Sequence, residues 1–375
     1  MNILEEIQNC PVEWKVLKDV AILKNGKDWK TLPSGEVPVY GSGGEMGEFV
    51  SDYSYDKPTV LIPRKGSISN LFYIEKAFWN VDTIYYTEID ENQIIPKYFY
   101  YYLTTVKLEE MATNPTRPSL TQAILDKVKI PIPPLKIQEK IVQILDKFTD
   151  YVTELTSELT SELTSRKKQY SFYRDKLLSF EDEVYQVEWK TLGEVAENLD
   201  NMRKPVAKGG RSLGIYPYYG ASGIVDYVDS FIFDGDYLLI SEDGANLVVR
   251  KTPIAFSISG KTWVNNHAHV LKFDNIINQK FVNYYLNYLD LSPYITGAAQ
   301  PKLNQQNLNN IRIPYPSLEI QSRIVQVLDN FDKVCNDLNI GLPKEIELRQ
   351  KQYEYFREKL LTFVAEGEYT ESRVE

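Results

Sequence analysis

The sequence predicts a mixed α+β chain built as a tandem repeat, in which each copy is a globular unit followed by one long helix. Three observations lead there: motifs that return in order, short β-branched and aromatic runs between turn residues, and two amphipathic stretches of helical period. The repeat comes first. Val12-Glu13-Trp14-Lys15, Leu17 and Val20 return as Val187-Glu188-Trp189-Lys190, Leu192 and Val195, an offset of 175. Pro38, Tyr40, Gly41 and Gly44 return as Pro217, Tyr219, Gly220 and Gly223, offset by 179. Ile130, Pro131, Pro133, Leu135, Ile137-Gln138, Ile141, Leu145-Asp146 and Phe148 return 183 positions on, as Ile313, Pro314, Pro316, Leu318, Ile320-Gln321, Ile324, Leu328-Asp329 and Phe331. The same 183 carries Lys168-Gln169-Tyr170 onto Lys351-Gln352-Tyr353. The offset grows inside the globular part, where surface loops tolerate insertions. It then stays constant along the helix, as expected of a rod whose length matters.

Each element follows in order. Thr59-Val60-Leu61-Ile62 and Thr83-Ile84-Tyr85-Tyr86 read as strands, Gly41-Ser42-Gly43-Gly44 and Arg64-Lys65-Gly66-Ser67 as turns, and residues 96–107 as a helix. Pro131, Pro133 and Pro134 close the globular part. From Leu135 to Phe180 no Gly or Pro interrupts the chain, and apolar residues recur mostly every three or four positions. At 1.5 Å per residue such a helix is roughly 70 Å long. Its duplicate carries Gly341 and Pro343, which predict a kink or break. A helix with one apolar stripe must bury it, and antiparallel pairing of the two copies would do so and give an internal pseudo-two-fold repeat. Within the first helix lies a tetrad repeat, Thr156-Ser157-Glu158-Leu159 then Thr160-Ser161-Glu162-Leu163. Leu155, Leu159 and Leu163 are its seam positions, with Leu338, Leu342 and Ile346 matching in the second helix. One tetrad adds about 6 Å of rod.

Composition bounds the partners. Of 375 residues, 43% are hydrophobic and 25% charged, enough for two domains with cores of their own. Cys10 and Cys335, the only cysteines, imply neither a disulfide framework nor a zinc cluster. No apolar run approaches the roughly 20 residues of a membrane helix, and the N-terminus lacks a signal-peptide pattern. A soluble, cytoplasmic protein is expected. The net charge of −10 argues mildly against nucleic acid, because phosphate contacts usually leave a basic footprint. A DNA binder of this composition must gather its basic residues on one face or borrow them from a partner.

This layout resembles the DNA-specificity subunit of type I restriction–modification systems, over nearly the whole chain. The resemblance rests on the V-E-W-K-x-L openings, on I-P-x-P-x-L-x-I-Q leading into a helix (130–138 and 313–321), and on the T-S-E-L tetrads. It implies target-recognition domains at 1–134 and 184–317, each reading one half of a split DNA site. It likewise implies spacer helices at 135–183 and 318–367 that dock methyltransferase subunits, with a tail at 368–375. Double-stranded DNA and two methyltransferase subunits are the implied partners; restriction subunits are left open, and no membrane, metal or cofactor is implied.

The two halves differ where such a function needs them to. Arg64-Lys65-Gly66 aligns with Glu242-Asp243-Gly244, a reversal of charge on one turn. Arg and Lys suit guanine O6/N7, whereas Glu or Asp accepts from cytosine N4. The expected target is therefore asymmetric. Further phosphate or base candidates are Lys24, Lys27, Arg117, Lys204, Lys208, Arg211, Lys261 and Lys302, with Arg203 to Arg211 the densest basic segment. Arg117-Pro118-Ser119-Leu120 aligns with Gln300-Pro301-Lys302-Leu303 as a shared loop before each helix.

Catalytic parts are not evident. Gly260-Lys261-Thr262 ends like a phosphate loop but has Ala255 in place of the first glycine. Asn114-Pro115-Thr116 resembles an adenine-methyltransferase motif only weakly. His267 and His269, the only histidines, lack a second ligand pair in sequence. The chain reads as non-catalytic, and the alternative is a duplicated coiled-coil scaffold that binds proteins rather than DNA.

Overall fold

The computed structural model describes residues 3–113, 118–180, 187–297 and 300–363. Two compact units form, Met1–Glu158 with Ile346–Glu375, and Leu159–Glu345. The chain opens with α1 (Ile3–Gln8), β1 (Glu13–Val16), α2 (Leu17–Val20) and β2 (Ala21–Asn25). The hairpin β3 (Ser34–Gly41) and β4 (Gly44–Val50) follows, then β5 (Thr59–Pro63), β6 (Phe72–Ile74), β7 (Trp79–Asn80) and β8 (Ile84–Ile89). Next come α3 (Pro96–Leu103), α4 (Gln122–Leu125), β9 (Lys129–Ile132) and the 45-residue helix α5 (Leu135–Ser179).

The second copy runs through β10 (Glu188–Thr191), α6 (Leu192–Val195), β11 (Glu197–Asn198), β12 (Leu213–Gly220) and β13 (Gly223–Val228). It continues with β14 (Phe233–Asp234), β15 (Tyr237–Ser241), α7 (Asn246–Val249), β16 (Ala255–Ile258), β17 (Lys261–Val264) and β18 (Ala268–Lys272). Helices α8 (Ile276–Tyr288) and α9 (Gln305–Asn309), strand β19 (Arg312–Tyr315), and helices α10 (Leu318–Asn336) and α11 (Leu342–Leu361) end it.

The sheets repeat as the sequence does. Unit one has β2-β8-β5-β6, β4-β3-β7 and the ribbon β1-β9; unit two has β11-β18-β15-β16, β13-β12-β17-β14 and β10-β19. The recurring sequence motifs are partner strands, because Trp14 sits opposite Pro131 and Trp189 opposite Pro314. A two-stranded ribbon tolerates those prolines, whose missing N–H would interrupt a central strand. The central strands β5 and β15 are buried along their whole length, which is why they are apolar apart from Thr59 and Ser241. Helix α3 starts on Pro96 and stops at Leu103, earlier than the predicted 107, because the Thr104 and Thr105 hydroxyls donate back to the carbonyls of Tyr101 and Tyr102.

In each unit one four-stranded sheet, β2-β8-β5-β6 or β11-β18-β15-β16, is covered by a helix that is in turn pinned to a long helix. In unit one, Leu17, Val60, Ile62, Tyr98, Phe99 and Leu103 pack with Ile137, Ile141 and Leu145. In unit two, Leu238, Ile240, Phe281, Val282 and Leu286 pack with Ile324, Val325 and Leu328. The polar pins are duplicated too. Asp146 accepts from Lys97 at 2.9 Å and from the Tyr101 hydroxyl at 2.5 Å; Asp329 accepts from Lys280 at 2.6 Å and Tyr284 at 2.7 Å. The recurring Gln138 and Gln321 donate to the carbonyls of Pro133 and Pro316, closing the turn that starts each helix.

The long helices bury their stripes by antiparallel pairing. Phe148 stacks near Phe356 at 5.5 Å and Thr149 Oγ1 lies 2.9 Å from the Tyr353 hydroxyl, so advancing along α5 runs backward along α11. In unit two, Tyr170 and Tyr173 flank Phe331 of α10 at 6.2 and 5.6 Å. Leu155, Leu159 and Leu163 are half-buried on α5, as are Leu342 and Ile346 on α11. The second copy is broken where Gly341 and Pro343 predicted it. A Cβ at Gly341 would lie 2.6 Å from the carbonyl oxygens of both Lys333 and Asp337. Leu338 falls in this break and is 71% exposed, which corrects its assignment to the seam. The apolar period there is cut before the residue can reach a partner helix.

Candidate nucleic-acid interface

The turns singled out for reversed charge occupy the same place in the two copies. In unit one the Leu120 N–H donates to the Arg64 carbonyl at 2.9 Å, and Lys65 bridges to Ser119. In unit two the Leu303 N–H donates to the Glu242 carbonyl at 2.8 Å, and Asp243 bridges to Lys302. Gly66 and Gly244 both take positive φ, 80° and 106°, which a side chain would resist. The aligned loops of the sequence therefore meet in space. Arg117 lies outside the described residues, as does Asn114-Pro115-Thr116.

The side chains on this shared frame differ in kind. In unit one the Arg64 guanidinium reaches Asn25 Oδ1 at 3.4 Å and lies 5.7 Å from the Tyr85 ring, while Lys65 faces Asp82 at 3.5 Å. Both pairs are exposed, so they hold these cations weakly. Lys24 pairs with Glu88 at 3.2 Å, and Lys27 is exposed with no ion pair among the described residues.

Unit two holds a buried ionic network at the same location. Glu242 is flanked by Arg203 at 2.5 Å and Lys302 at 3.0 Å, and its side chain is only 11% exposed. Its carboxylate is thus already engaged, which corrects the expectation that it faces a base. Asp200 pairs with Arg203 at 3.3 Å and with His269 Nδ1 at 2.6 Å. His269 Nε2 lies 2.7 Å from the Leu303 carbonyl, so the fully buried ring faces an acceptor at each nitrogen. Burial alone would raise both carboxyls; for Asp200 the His269 ring outweighs it, and for Glu242 Arg203 and Lys302 do, holding each below its usual range. The Asp200, Glu242 and His269 ligand atoms lie within 4.8 Å of one another, but Arg203 and Lys302 occupy the carboxylates and make this an ion-pair network rather than a chelate. His267 turns elsewhere, to Asp243 at 2.8 Å, so the two histidines share no ligand site.

The basic segment 203–211 splits the same way. Arg203 and Arg211 turn inward; Arg211 pairs with Asp226 at 3.0 Å and covers the Tyr218 ring at 4.3 Å, a tie within unit two rather than a free cation. Lys204, Lys208 and Lys261 stay exposed with no ion pair among the described residues. Lys261 stands 4.8 Å over the Phe231 ring. Asp200, Asn25 and Tyr85 were invisible in the sequence as site residues. The one available signal was alignment, since Asn25 and Asp200 are separated by the same 175 positions as the first repeated motif.

A duplicated α+β unit with one hydrogen-bonded frame, diverged turns on that frame and long paired helices defines a two-part recognition protein. The chain belongs to the family of the type I restriction modification DNA specificity domain, which it matches twice, over residues 11–165 and 186–348. It is 34% identical over 302 residues to the EcoR124I/EcoR124II type I restriction enzyme specificity subunit of Escherichia coli, covering 74% of this chain and 73% of that one. It is 39% identical over 193 residues to a Haemophilus influenzae chain provisionally assigned as a type I restriction enzyme specificity subunit. That match spans 50% of this chain and about half, 49%, of the relative. The fold is shared with the crystal structure of the type I restriction–modification S subunit of M. genitalium, at a TM-score of 0.53 and 18% identity, covering 95% of this chain and 98% of that one.

Proposed function

We propose that this chain is the non-catalytic specificity subunit of a type I restriction–modification complex, with each globular unit reading one half of a bipartite DNA site. The observation that carries it is the contrast between the frames: matching hydrogen bonding at Arg64 and Glu242, but a half-buried arginine with no carboxylate partner among the described residues in one unit and a neutralised carboxylate in the other. A frame kept constant while its side chains change charge suits a module that reads two different half-sites. Within unit one, Arg64, Lys65, Lys24 and Lys27 are the proposed contacts; within unit two, Asp243, Lys302, Lys204, Lys208 and Lys261 are. Glu242 positions Lys302, and Arg211 is tied to Asp226 and Tyr218 within the unit, rather than touching DNA. The recurring helices would set the spacer and dock two methyltransferase subunits, and those partners would supply basic surface that a chain of net charge −10 lacks. No helix among the described residues is long and apolar enough to cross a membrane.

The test is co-expression with the methyltransferase subunit in a methylation-free host, followed by mapping of modified bases. A split, non-palindromic motif with a fixed gap is expected. A palindromic motif would overturn the asymmetric reading. A stable complex that methylates nothing would favour a protein-binding scaffold instead.

A further inference from the structure

The hairpins β3–β4 and β12–β13 share a frame as closely as the turns do. Ser34 and Val37 both face Val50 across a bulge, just as Leu213 and Tyr216 both face Val228. The glycine inside each bulge is forced, since a Cβ at Gly35 or Gly214 would sit 2.4 or 2.2 Å from the carbonyl oxygen of Val50 or Val228. Ser34-Gly35-Glu36 in unit one is therefore the structural counterpart of Leu213-Gly214-Ile215 in unit two. Leu213 and Ile215 are 89% and 79% exposed, and Ile224, Val225 and Tyr227 of the same hairpin are exposed too. At the positions of Leu213, Ile215 and Ile224 unit one has Ser34, Glu36 and Glu45, while Phe49, opposite Pro38 as Tyr227 is opposite Pro217, is exposed like Tyr227.

Five large apolar side chains left in water on one hairpin mark a binding surface. A partner that docks on both units alike cannot rely on Leu213, Ile215 or Ile224, because unit one is polar at those three positions. What must differ between the two units is the half-site. Lys261 lies level with Tyr216 through the parallel pairing of β12 with β17, and Tyr216 packs on Phe231 at 5.1 Å. Lys204 and Lys208 are exposed in the same unit, as are the carboxylates of Asp229, Asp234 and Asp236, while Asp226 is neutralised by Arg211.

We infer that the β12–β13 hairpin is a base-reading element, in which Leu213 and Ile215 contact thymine C5-methyl groups while the surrounding lysines meet phosphates. The apolar surface of a side chain distinguishes thymine by that methyl alone. This rests on the DNA-specificity reading above and deepens it. At least one A·T pair is required in one half-site, and the other half-site is read without this contact.

The experiment uses the assembled complex of the full chain with its methyltransferase, and duplexes carrying the mapped site. Thymines of each half-site are replaced in turn by deoxyuridine, which removes only the methyl. In one half-site, each replaced contact should weaken binding about fourfold. The variant Leu213→Ser with Ile215→Ser should bind thymine and uracil duplexes equally, at the weakened level, and should remain sensitive to base changes in the other half-site. Equal binding of thymine and uracil duplexes by the unaltered complex would overturn the inference and leave the proposed function standing. So would loss of the methyltransferase from the purified variant complex, which would make the hairpin a protein-docking surface. A complex with no sequence-specific binding at all would sink both.

Discussion

Glu242 illustrates how one residue changes role when its neighbours are known. As a turn carboxylate it would be an acceptor for a base; folded, it holds Arg203 and Lys302 in place. Replacing it with alanine would leave Arg203, whose side chain is only 12% exposed, with Asp200 as its one carboxylate, and should destabilise unit two by about 3 kcal/mol. Thermal unfolding of the full chain checks this; an unchanged midpoint would mean the network is ornamental. The same network predicts acid sensitivity. Asp200 and Glu242 lie below their usual pKa values in the fold, so the unfolded chain binds protons first. Their stabilisation is present above the ordinary carboxylate range near 4 and is lost as pH falls through the lower folded values. In Glu242→Gln this acid loss should be smaller, as read by unfolding midpoints between about pH 3 and 6.

At the scale of elements, the two long helices show which parts of a repeat are under constraint. Asp146 and Asp329, Gln138 and Gln321 keep their partners in both copies, and these are the residues that fix each helix onto its own domain. The middle of the helices is free to diverge, with T-S-E-L tetrads in α5 and a break between α10 and α11. Removing Thr160-Ser161-Glu162-Leu163 should keep both sets of recognised bases while shortening the gap between them, because about 6 Å of helix is lost. Mapping methylated sites in the deletion variant reads this directly. A changed base sequence with an unchanged gap would detach the tetrads from spacing. The periodicity of α5 and the break at Gly341 were legible from the sequence because helix period and chain-breaking residues are local properties. The exposure of Leu338 was not, since it depends on where the broken end points.

For the whole molecule, the duplication predicts that the halves are interchangeable as modules. A chain in which residues 184–317 are replaced by a second copy of 1–134 should methylate a site with two equivalent half-sites. Retention of the original asymmetric motif would show that recognition is not divided between the units. The repeated strands support such an exchange, since β1 with β9 and β10 with β19 close each unit on itself by the same pairing.

The sequence by itself determined the duplication, the α+β class and the long helices with their break. These are written in order, period and spacing, which folding preserves. Only the tertiary structure decided which charges remain free. Arg203 finds Glu242 39 residues away, Asp200 finds His269 69 residues away, and Leu213 finds no cover at all. Pairing and exposure arise from residues far apart in the chain, so no local pattern could separate the lysines left for a ligand from the arginines already spent on the fold.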